Sequence, residues 1–355
     1  MLNKLPPNTE LETREVLKKL ASAHRYLAEL KGVAATIPNE SILINTLSLQ
    51  EAKDSSEIEN IITTHDEIFK SNIYDKHFIN TATKEVYNYA DALKKGFELV
   101  KEHGLLTNNY IIEIQSELEQ NKAGFRKQPG TNLVNDNTGE VIYTPPQDYK
   151  TIADLMHNLE QFINNDDMMD VDPLIKMCVI HHQFESIHPF YDGNGRTGRI
   201  VNILYLINKG LLKLPVLYLS RYIVQNKADY YRLLQSVRDE NNWEEWILYM
   251  LAGIEKTSIQ TIEIINSIKQ IMMHYKHEIR SKLPKIYNQD VLNNLFRHPY
   301  TKIEFMMKEL NVSRITATRY LDEIVKLDLL SKQKIGRDNF YINVPLYNLF
   351  KNVSV

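Results

Sequence analysis

The chain has a single cysteine, Cys178, in 355 residues. That excludes an intramolecular disulfide framework and suits a reducing compartment. No apolar run is long enough to span a bilayer. The N-terminus, "MLNKLPPNTELET", lacks the apolar stretch behind a basic start that a secretory signal needs. No excess of one charge is present either, since 42 basic residues meet 45 acidic ones for a net charge of −3. Net charge therefore makes no case for nucleic acid or an anionic membrane as partner. Internal repeats and low-complexity tracts are absent. The expectation is a cytoplasmic globular protein without a membrane partner, long enough for two or three domains and a sizeable core.

What is present is helical periodicity. "TREVLKKLASAHRYLAELKG" and "TKEVYNYADALKKGFELVKEHG" repeat apolar residues every three or four positions, and each is expected to stop at its glycine, Gly32 and Gly104. Residues Thr107 to Gln120 read the same way. "NLVNDNTGEVIY", Asn132 to Tyr143, sets an Asn-Thr-Gly turn between β-prone runs and predicts a hairpin. "DVDPLIKMCVIHHQFESI" opens a helix with Asp172 as N-cap and Pro173 at its first position. Another helix ends at Gly210, and Trp243 to about Leu283 is helical almost throughout, with Pro284 as a boundary. The C-terminal part changes character. "TKIEFMMKEL" and "RITATRYLDEIVKLDLL" form two helices at helix-turn-helix spacing, and "SKQKIGRDNFYIN" alternates around Gly336 like a two-stranded wing. The fold class expected is mainly α, with a small hairpin flap and a winged-helix domain. The divisions are 1–95 for an N-terminal helical region, 96–283 for the core and 284–355 for the winged helix.

One stretch does not look like ordinary packing: "HPFYDGNGRTGR", His188 to Arg199. Gly193, Gly195 and Gly198 spell G-x-G-x-x-G, but a capped helix precedes them and no acid follows near Lys213, so the dinucleotide reading fails on context. The loop still suits an anion. It runs into a helix N-terminus, where free amides and the dipole favour phosphate and glycines allow close approach. Arg196 and Arg199 lie one turn apart, and arginines there oppose the dipole unless an anion joins them. Asp192 supplies a single carboxylate, as Mg²⁺ often has beside substrate phosphates. His188 stands at the mouth with an ordinary pKa suited to proton transfer. Together these are parts of a phosphoryl or nucleotidyl transfer site. Taken singly, each has a plainer reading as a turn, a packed histidine or a solvated arginine.

"HPFYDGNGRTGR" matches in full the HPFx[DE]GNGRxxR signature of the Fic (fido) family of protein adenylyltransferases. "GEVIYTPP", "LYLSRYIV" and "DYYRLL" also resemble that family, over nearly the whole chain. The resemblance implies transfer of AMP from ATP to a Ser, Thr or Tyr hydroxyl of a target protein, the chain itself included. It casts His188 as general base and Asp192 as the Mg²⁺ ligand. Gly193, Asn194, Gly195, Arg196, Thr197, Gly198 and Arg199 would hold the phosphates, and Tyr231 the adenine. It further implies a homodimer.

"SSEIEN", Ser55 to Asn60, is a second notable stretch. Alone it reads as a capping box with Ser56 as N-cap and Glu59 three residues on. It also fits the family's inhibitory motif [ST]-x-x-x-E-[GN], which implies that Glu59, with Ser55, occupies Arg199 and blocks the γ-phosphate.

Rival readings remain at this stage. His181, Glu185 and His188 at i, i+4, i+7 have the spacing of a zinc site. The winged helix could bind DNA as a regulator that uses the core as a nucleotide-responsive module, although Asp322, Glu323 and Asp328 dilute Arg314, Arg319 and Lys326. Removal of AMP from targets is also open. Cys178 reads as a core residue rather than a nucleophile, and Trp243, Trp246 and Tyr249 as packing under the nucleotide pocket.

Overall fold

A computed structural model describes residues 2–71, 80–134, 138–335 and 338–352. Asn137 of the expected hairpin turn and Gly336 of the expected wing lie outside the described residues. The chain begins with α1 (Arg14–Ala34), capped by Thr13, whose hydroxyl accepts from the Val16 amide. Its stripe Val16, Leu20, Ala23, Leu27 and Leu30 is buried against α11 (Trp243–Lys282). The expected stop at Gly32 is not observed. The helix runs through Gly32 to Ala34, because Ala35 continues in right-handed backbone and no left-handed cap is required. Gly104 does end α4 (Thr81–His103) in the left-handed region, at φ 66°. Residues 95 and 96, the first expected division, both lie inside α4.

Helix α2 (Glu40–Ile58) follows an Asn39 cap and is buried on nearly every side. Its polar residues must therefore find partners inside the protein. Glu51 accepts from the Ser220 amide at 3.2 Å and from the Ser220 hydroxyl, and Gln50 pairs with His65 at 2.6 Å. Around α2 stand α4, α8 (Asn194–Asn208), α9 (Leu219–Gln225) and α12 (Gln289–Arg297). Between α2 and α4 runs α3 (His65–Ser71). The core is completed by α5 (Asn108–Glu119), α6 (Tyr149–Asn164), α7 (Pro173–Ile187) and α10 (Lys227–Glu240). The Asp172 cap with Pro173 behind it is present as expected. Cys178 is fully buried, and burial pushes its thiol far above the usual range.

Strands β1 (Leu133–Val134) and β2 (Val141–Tyr143) pair antiparallel as the expected hairpin, with Leu133 opposite Tyr143. The C-terminal part holds α12, β3 (Tyr300–Lys302), α13 (Ile303–Leu310), α14 (Arg314–Val325), β4 (Ser331–Ile335), β5 (Asp338–Ile342) and α15 (Val344–Asn352). Its sheet is antiparallel in the order β3-β5-β4. Two boundaries differ from expectation. Thr301 and Lys302 join β3 by pairing with Tyr341 and Phe340, so α13 starts later. Helix α14 stops at Val325, where the Leu327 and Asp328 amides tighten onto the Ile324 and Val325 carbonyls, and Asp328 then turns left-handed at φ 57°. Three cations on or beside α14 are paired with acids, Arg314 with Glu304, Lys326 with Glu323 and Lys332 with Asp322, while Arg319 lies over the Tyr320 ring. This part also rests on the N-terminal helices: the Tyr300 hydroxyl donates to Asp66 at 2.8 Å, and Phe69 lies among the rings of Tyr300, Tyr347 and Phe350. No helix among the described residues is long and apolar enough to cross a membrane.

Candidate active site

The site forms where α7 gives way to α8. His188 caps α7 in left-handed backbone, at φ 50°, with its amide bonded to the Phe184 carbonyl at 3.0 Å. The chain reverses through Pro189 to Asp192, and Gly193 turns left-handed at φ 74° just before α8 begins at Asn194. Asn194 locks this reversal from within. Its side chain donates to the Phe190 carbonyl at 2.9 Å and accepts from the Phe190 amide at 2.8 Å. Asp192 accepts from the Gly193 amide at 2.7 Å and keeps its carboxylate exposed beside the turn. Gly195 and Gly198 belong to α8 itself, so only Gly193 needs glycine's left-handed freedom here. Thr197 is buried, with its amide closing the first turn onto the Gly193 carbonyl at 2.8 Å.

The two arginines are both buried and both occupied. Arg199 donates from Nε to the Ser55 hydroxyl at 2.8 Å, and from Nη2 to the Ser55 carbonyl at 2.9 Å and the Glu59 carboxylate at 2.8 Å. Arg196 donates from Nη1 to Glu85 and from Nη2 to Glu119, each at 2.7 Å. The sequence thus places both arginines on one helix, and the fold hands them to different elements, α2 for one and α4 with α5 for the other. The capping-box reading of "SSEIEN" does not hold. Ser55 and Ser56 are in the last turn of α2, whose cap is Asn39, and Glu59 is the residue that ends the helix before Asn60 turns left-handed. Glu59 is presented by a helix C-terminus, not by a helix start.

Glycine decides how closely these acids approach. A Cβ on Gly195 would collide with the Glu59 carboxylate, and one on Gly193 with that of Glu119. Each carboxylate lies against the first turn of α8, where unpaired amides and the dipole attract negative charge. Burial pushes Glu119 up to about 7, and the charges of Asp192, Glu85 and Glu59 add to this against the pull of Arg196. Burial likewise lifts Glu185 to about 7; its Oε1 would stand 2.8 Å from a Cβ on Gly198.

His188 is pulled down to about 4, first by burial and then by the Arg126 charge. Near pH 7 its imidazole is neutral and able to take a proton. Arg126, from the segment after α5, donates from Nε to the His188 carbonyl at 2.8 Å and reaches the Pro146 carbonyl behind the hairpin. The hairpin is tied to the same turn by the Tyr143 hydroxyl on the Ser186 carbonyl at 3.0 Å, with Arg238 over the Tyr143 ring at 4.1 Å. Below the turn, Trp246 donates to the Cys178 carbonyl at 2.9 Å and stacks on His181. Tyr231 is exposed on α10, its ring edge-on to the buried Tyr230 at 5.2 Å.

The zinc reading is overturned. His181 Nε2 is 2.8 Å from the Tyr230 hydroxyl, and burial pulls that imidazole down to about 3. Among the described residues no group of three or more His, Cys, Asp and Glu is arranged to hold a metal ion. Glu85, Glu119 and Arg126 were not legible as site residues. The one hint lies in α5, whose last turn carries Glu117 and Glu119 with no basic residue. Acids at a helix C-terminus oppose the dipole, so a cation from elsewhere is needed there.

Three family models match this chain. Fic/DOC family N-terminal matches residues 17–98, Fic/DOC family residues 105–206, and the C-terminal domain of protein adenylyltransferase SoFic-like residues 271–346. The chain belongs to the Fic/DOC family. The first match covers Glu59 and Glu85, and the second covers Glu119 and the whole turn from His188 to Arg199. A probable protein adenylyltransferase of Aquifex aeolicus is 29% identical over 185 residues, 51% of this chain and 54% of that protein. Protein adenylyltransferase Fic-1 of Caenorhabditis elegans is 28% identical over 83 residues, 23% of this chain and 15% of that protein. The chain thus spans about half the length of the first curated relative and less of the second. In fold, this Fic protein is similar to a Fic family protein from Desulfovibrio desulfuricans, with TM-score 0.60 at 18% identity over 95% of this chain and 98% of that one. Fic-1 from C. elegans superposes with TM-score 0.53 at 20% identity, covering 71% and 73% of the two chains.

Proposed function

We propose that this Fic protein is a protein adenylyltransferase held closed by its own Glu59. The observation that carries the reading is the Arg199–Glu59 pair, 2.8 Å long, at the first turn of the helix that follows His188. In this reading the buried guanidinium, its arm filled by a carboxylate, is a polyphosphate site occupied by the chain's own anion. The names of the Aquifex and C. elegans relatives point to the same activity.

In this reading the target hydroxyl oxygen attacks the α-phosphorus of ATP as the neutral His188 imidazole takes its proton. The bond between that phosphorus and the bridging oxygen to the β-phosphate breaks, and pyrophosphate leaves with the electron pair. Amides at Asn194 and Gly195, and that of Gly193 once Asp192 releases it, stabilise the charge that develops on the transferring phosphate. Arg196 and Arg199 take the β- and γ-phosphates, Arg199 once Glu59 withdraws, with Thr197 and Gly198 completing the turn. Tyr231 offers an exposed ring for the adenine. The exposed Asp192 carboxylate beside the turn fits the single protein ligand with which Mg²⁺ is held against phosphates, where the ion would neutralise phosphate charge. The hairpin presents Val134, Val141 and Ile142 outward, an edge on which an extended segment bearing the hydroxyl can lie.

The test is incubation with Mg²⁺ and ATP labelled at its α-phosphate, comparing wild type, Glu59→Gly, and Glu59→Gly with His188→Ala. Label is expected on protein with Glu59→Gly, weakly with wild type, and not with the double variant. Glu59→Gly protein that neither binds ATP nor transfers label would overturn the proposal.

A further inference from the structure

We infer that Glu119 is a second carboxylate latch on the nucleotide site, closing the Arg196 half as Glu59 closes the Arg199 half; this rests on the adenylyltransferase reading above. Arg196 is only 4% exposed, and its two arms end on Glu85 and Glu119 at 2.7 Å each. The two acids are not equivalent. Glu85 is on α4, and its side chain is the more exposed of the pair. Glu119 is the last residue of α5, and its carboxylate lies directly against Gly193, the residue before α8. Glu59 stands in the same relation to Gly195. The chain therefore lays two acids against the turn that begins α8, each bonded to one of the two arginines.

Both carboxylates exploit the same attraction. The amides at a helix start and the dipole behind them favour an anion, and an adjacent guanidinium adds a charge-assisted bond. A phosphate oxygen seeking Arg196 and the Gly193 turn meets Glu119 already there. It meets repulsion as well, because Glu85 and the nearby Asp192 together outweigh the charge of Arg196, and Glu119, raised to about 7, adds its partly ionised carboxyl to them. Withdrawal of Glu59 frees Arg199 and leaves this obstacle in place. The two latches also sit on separate elements, α2 and α5, in the stretches matched by different family models. Glu85 remains after Glu119 withdraws and keeps the guanidinium aimed at the turn.

The experiment measures binding of Mg²⁺-ATP and of adenosine by calorimetry to Glu59→Gly, Glu59→Gly/Glu119→Gln and Glu59→Gly/Glu119→Ala. Gln keeps the side-chain volume without the charge, and Ala removes both. ATP is expected to bind both double variants on the order of ten-fold more tightly than Glu59→Gly, the effect of withdrawing one charge-assisted bond. Adenosine, which has no phosphate to place at Arg196, should bind all three alike. Unchanged or weaker ATP binding in both double variants overturns the latch while leaving the adenylyltransferase reading standing. A parallel shift for ATP and adenosine also overturns it, as general loosening of the pocket. Failure of Glu59→Gly to bind either ligand removes the adenylyltransferase reading and the latch together.

Discussion

Arg126 Nε donates to the backbone carbonyl of His188 at 2.8 Å, and the Arg126 amide donates to the Pro189 carbonyl at the same distance. The same guanidinium reaches the Pro146 carbonyl at the base of the hairpin. One buried cation thus holds the turn that presents the imidazole and the flap beside it. That external hold matters because a non-glycine residue in left-handed backbone costs roughly 1–2 kcal/mol. Replacing Arg126 with Met should therefore let His188 drift. In the Glu59→Gly background we expect kcat for AMP transfer to fall by about ten-fold or more, with ATP affinity little changed. Equal loss of both, measured by calorimetry and labelling, would make Arg126 a general prop.

Removing the imidazole should cost more. His188→Ala in the Glu59→Gly background is expected to lower transfer by roughly 10²–10⁴-fold, the usual contribution of general base catalysis. ATP binding should survive, because Arg196, Arg199 and the amides of the turn are untouched. Parallel rate and calorimetric measurements check this.

Ser55 makes a graded test of the closed state. Its hydroxyl accepts from Arg199 Nε at 2.8 Å, while its carbonyl and Glu59 hold Nη2. Ser55→Ala removes one of three acceptors, so transfer should rise about 3- to 10-fold, less than with Glu59→Gly. Activation equal to that of Glu59→Gly would make Ser55, rather than the carboxylate, the controlling contact.

Helix α2 also carries a stability signature. Glu51 is fully enclosed, and burial pushes it from 4.5 up to about 8, against the hydrogen bond from Ser220. Between those values the unfolded chain releases a proton that the native protein keeps. This contribution is whole below pH 4.5 and is lost as pH rises through 8, with a slope approaching about 1.4 kcal/mol per pH unit. From pH 7 to 8 the buried His65, His181, His182 and His188, all pulled down, act in the opposite sense near the lower end, because their unfolded imidazoles still hold some proton there. The Glu51 share is therefore read from the difference between wild type and Glu51→Gln. Wild type should lose more thermal stability across that interval than Glu51→Gln. Identical pH profiles would assign the slope to other acids.

Much of the fold was legible because its signals are local. The Asp172–Pro173 cap, the Gly104 stop, the Val141–Tyr143 strand and the long Trp243 helix each follow from neighbouring residues. The misread boundaries have local causes too. Gly32 could end α1 but need not, since right-handed backbone is equally open to glycine. "SSEIEN" has the spacing of a helix start, yet α2 had already been propagating from Asn39 and its core contacts carried it through Ser56. Thr301 and Lys302 carry a helical pattern that pairing with Tyr341 and Phe340 overrode.

By itself the sequence determined the turn between α7 and α8. Left-handed Gly193, the Asn194 side chain on Phe190, and two arginines one turn apart all act within a few residues, where spacing alone decides who can meet. That Glu59 with Ser55 takes Arg199 was implied by the motif resemblance and not by local spacing, and only the tertiary structure decided that Arg196 is taken too, by Glu85 and Glu119. Those partners lie between 77 and 144 positions away along the chain. No periodicity selects them, since an acid on a helix face reads the same whether water or a guanidinium waits opposite. Packing of α2, α4 and α5 around α8 brings the charges together, and burial then makes the pairing obligatory.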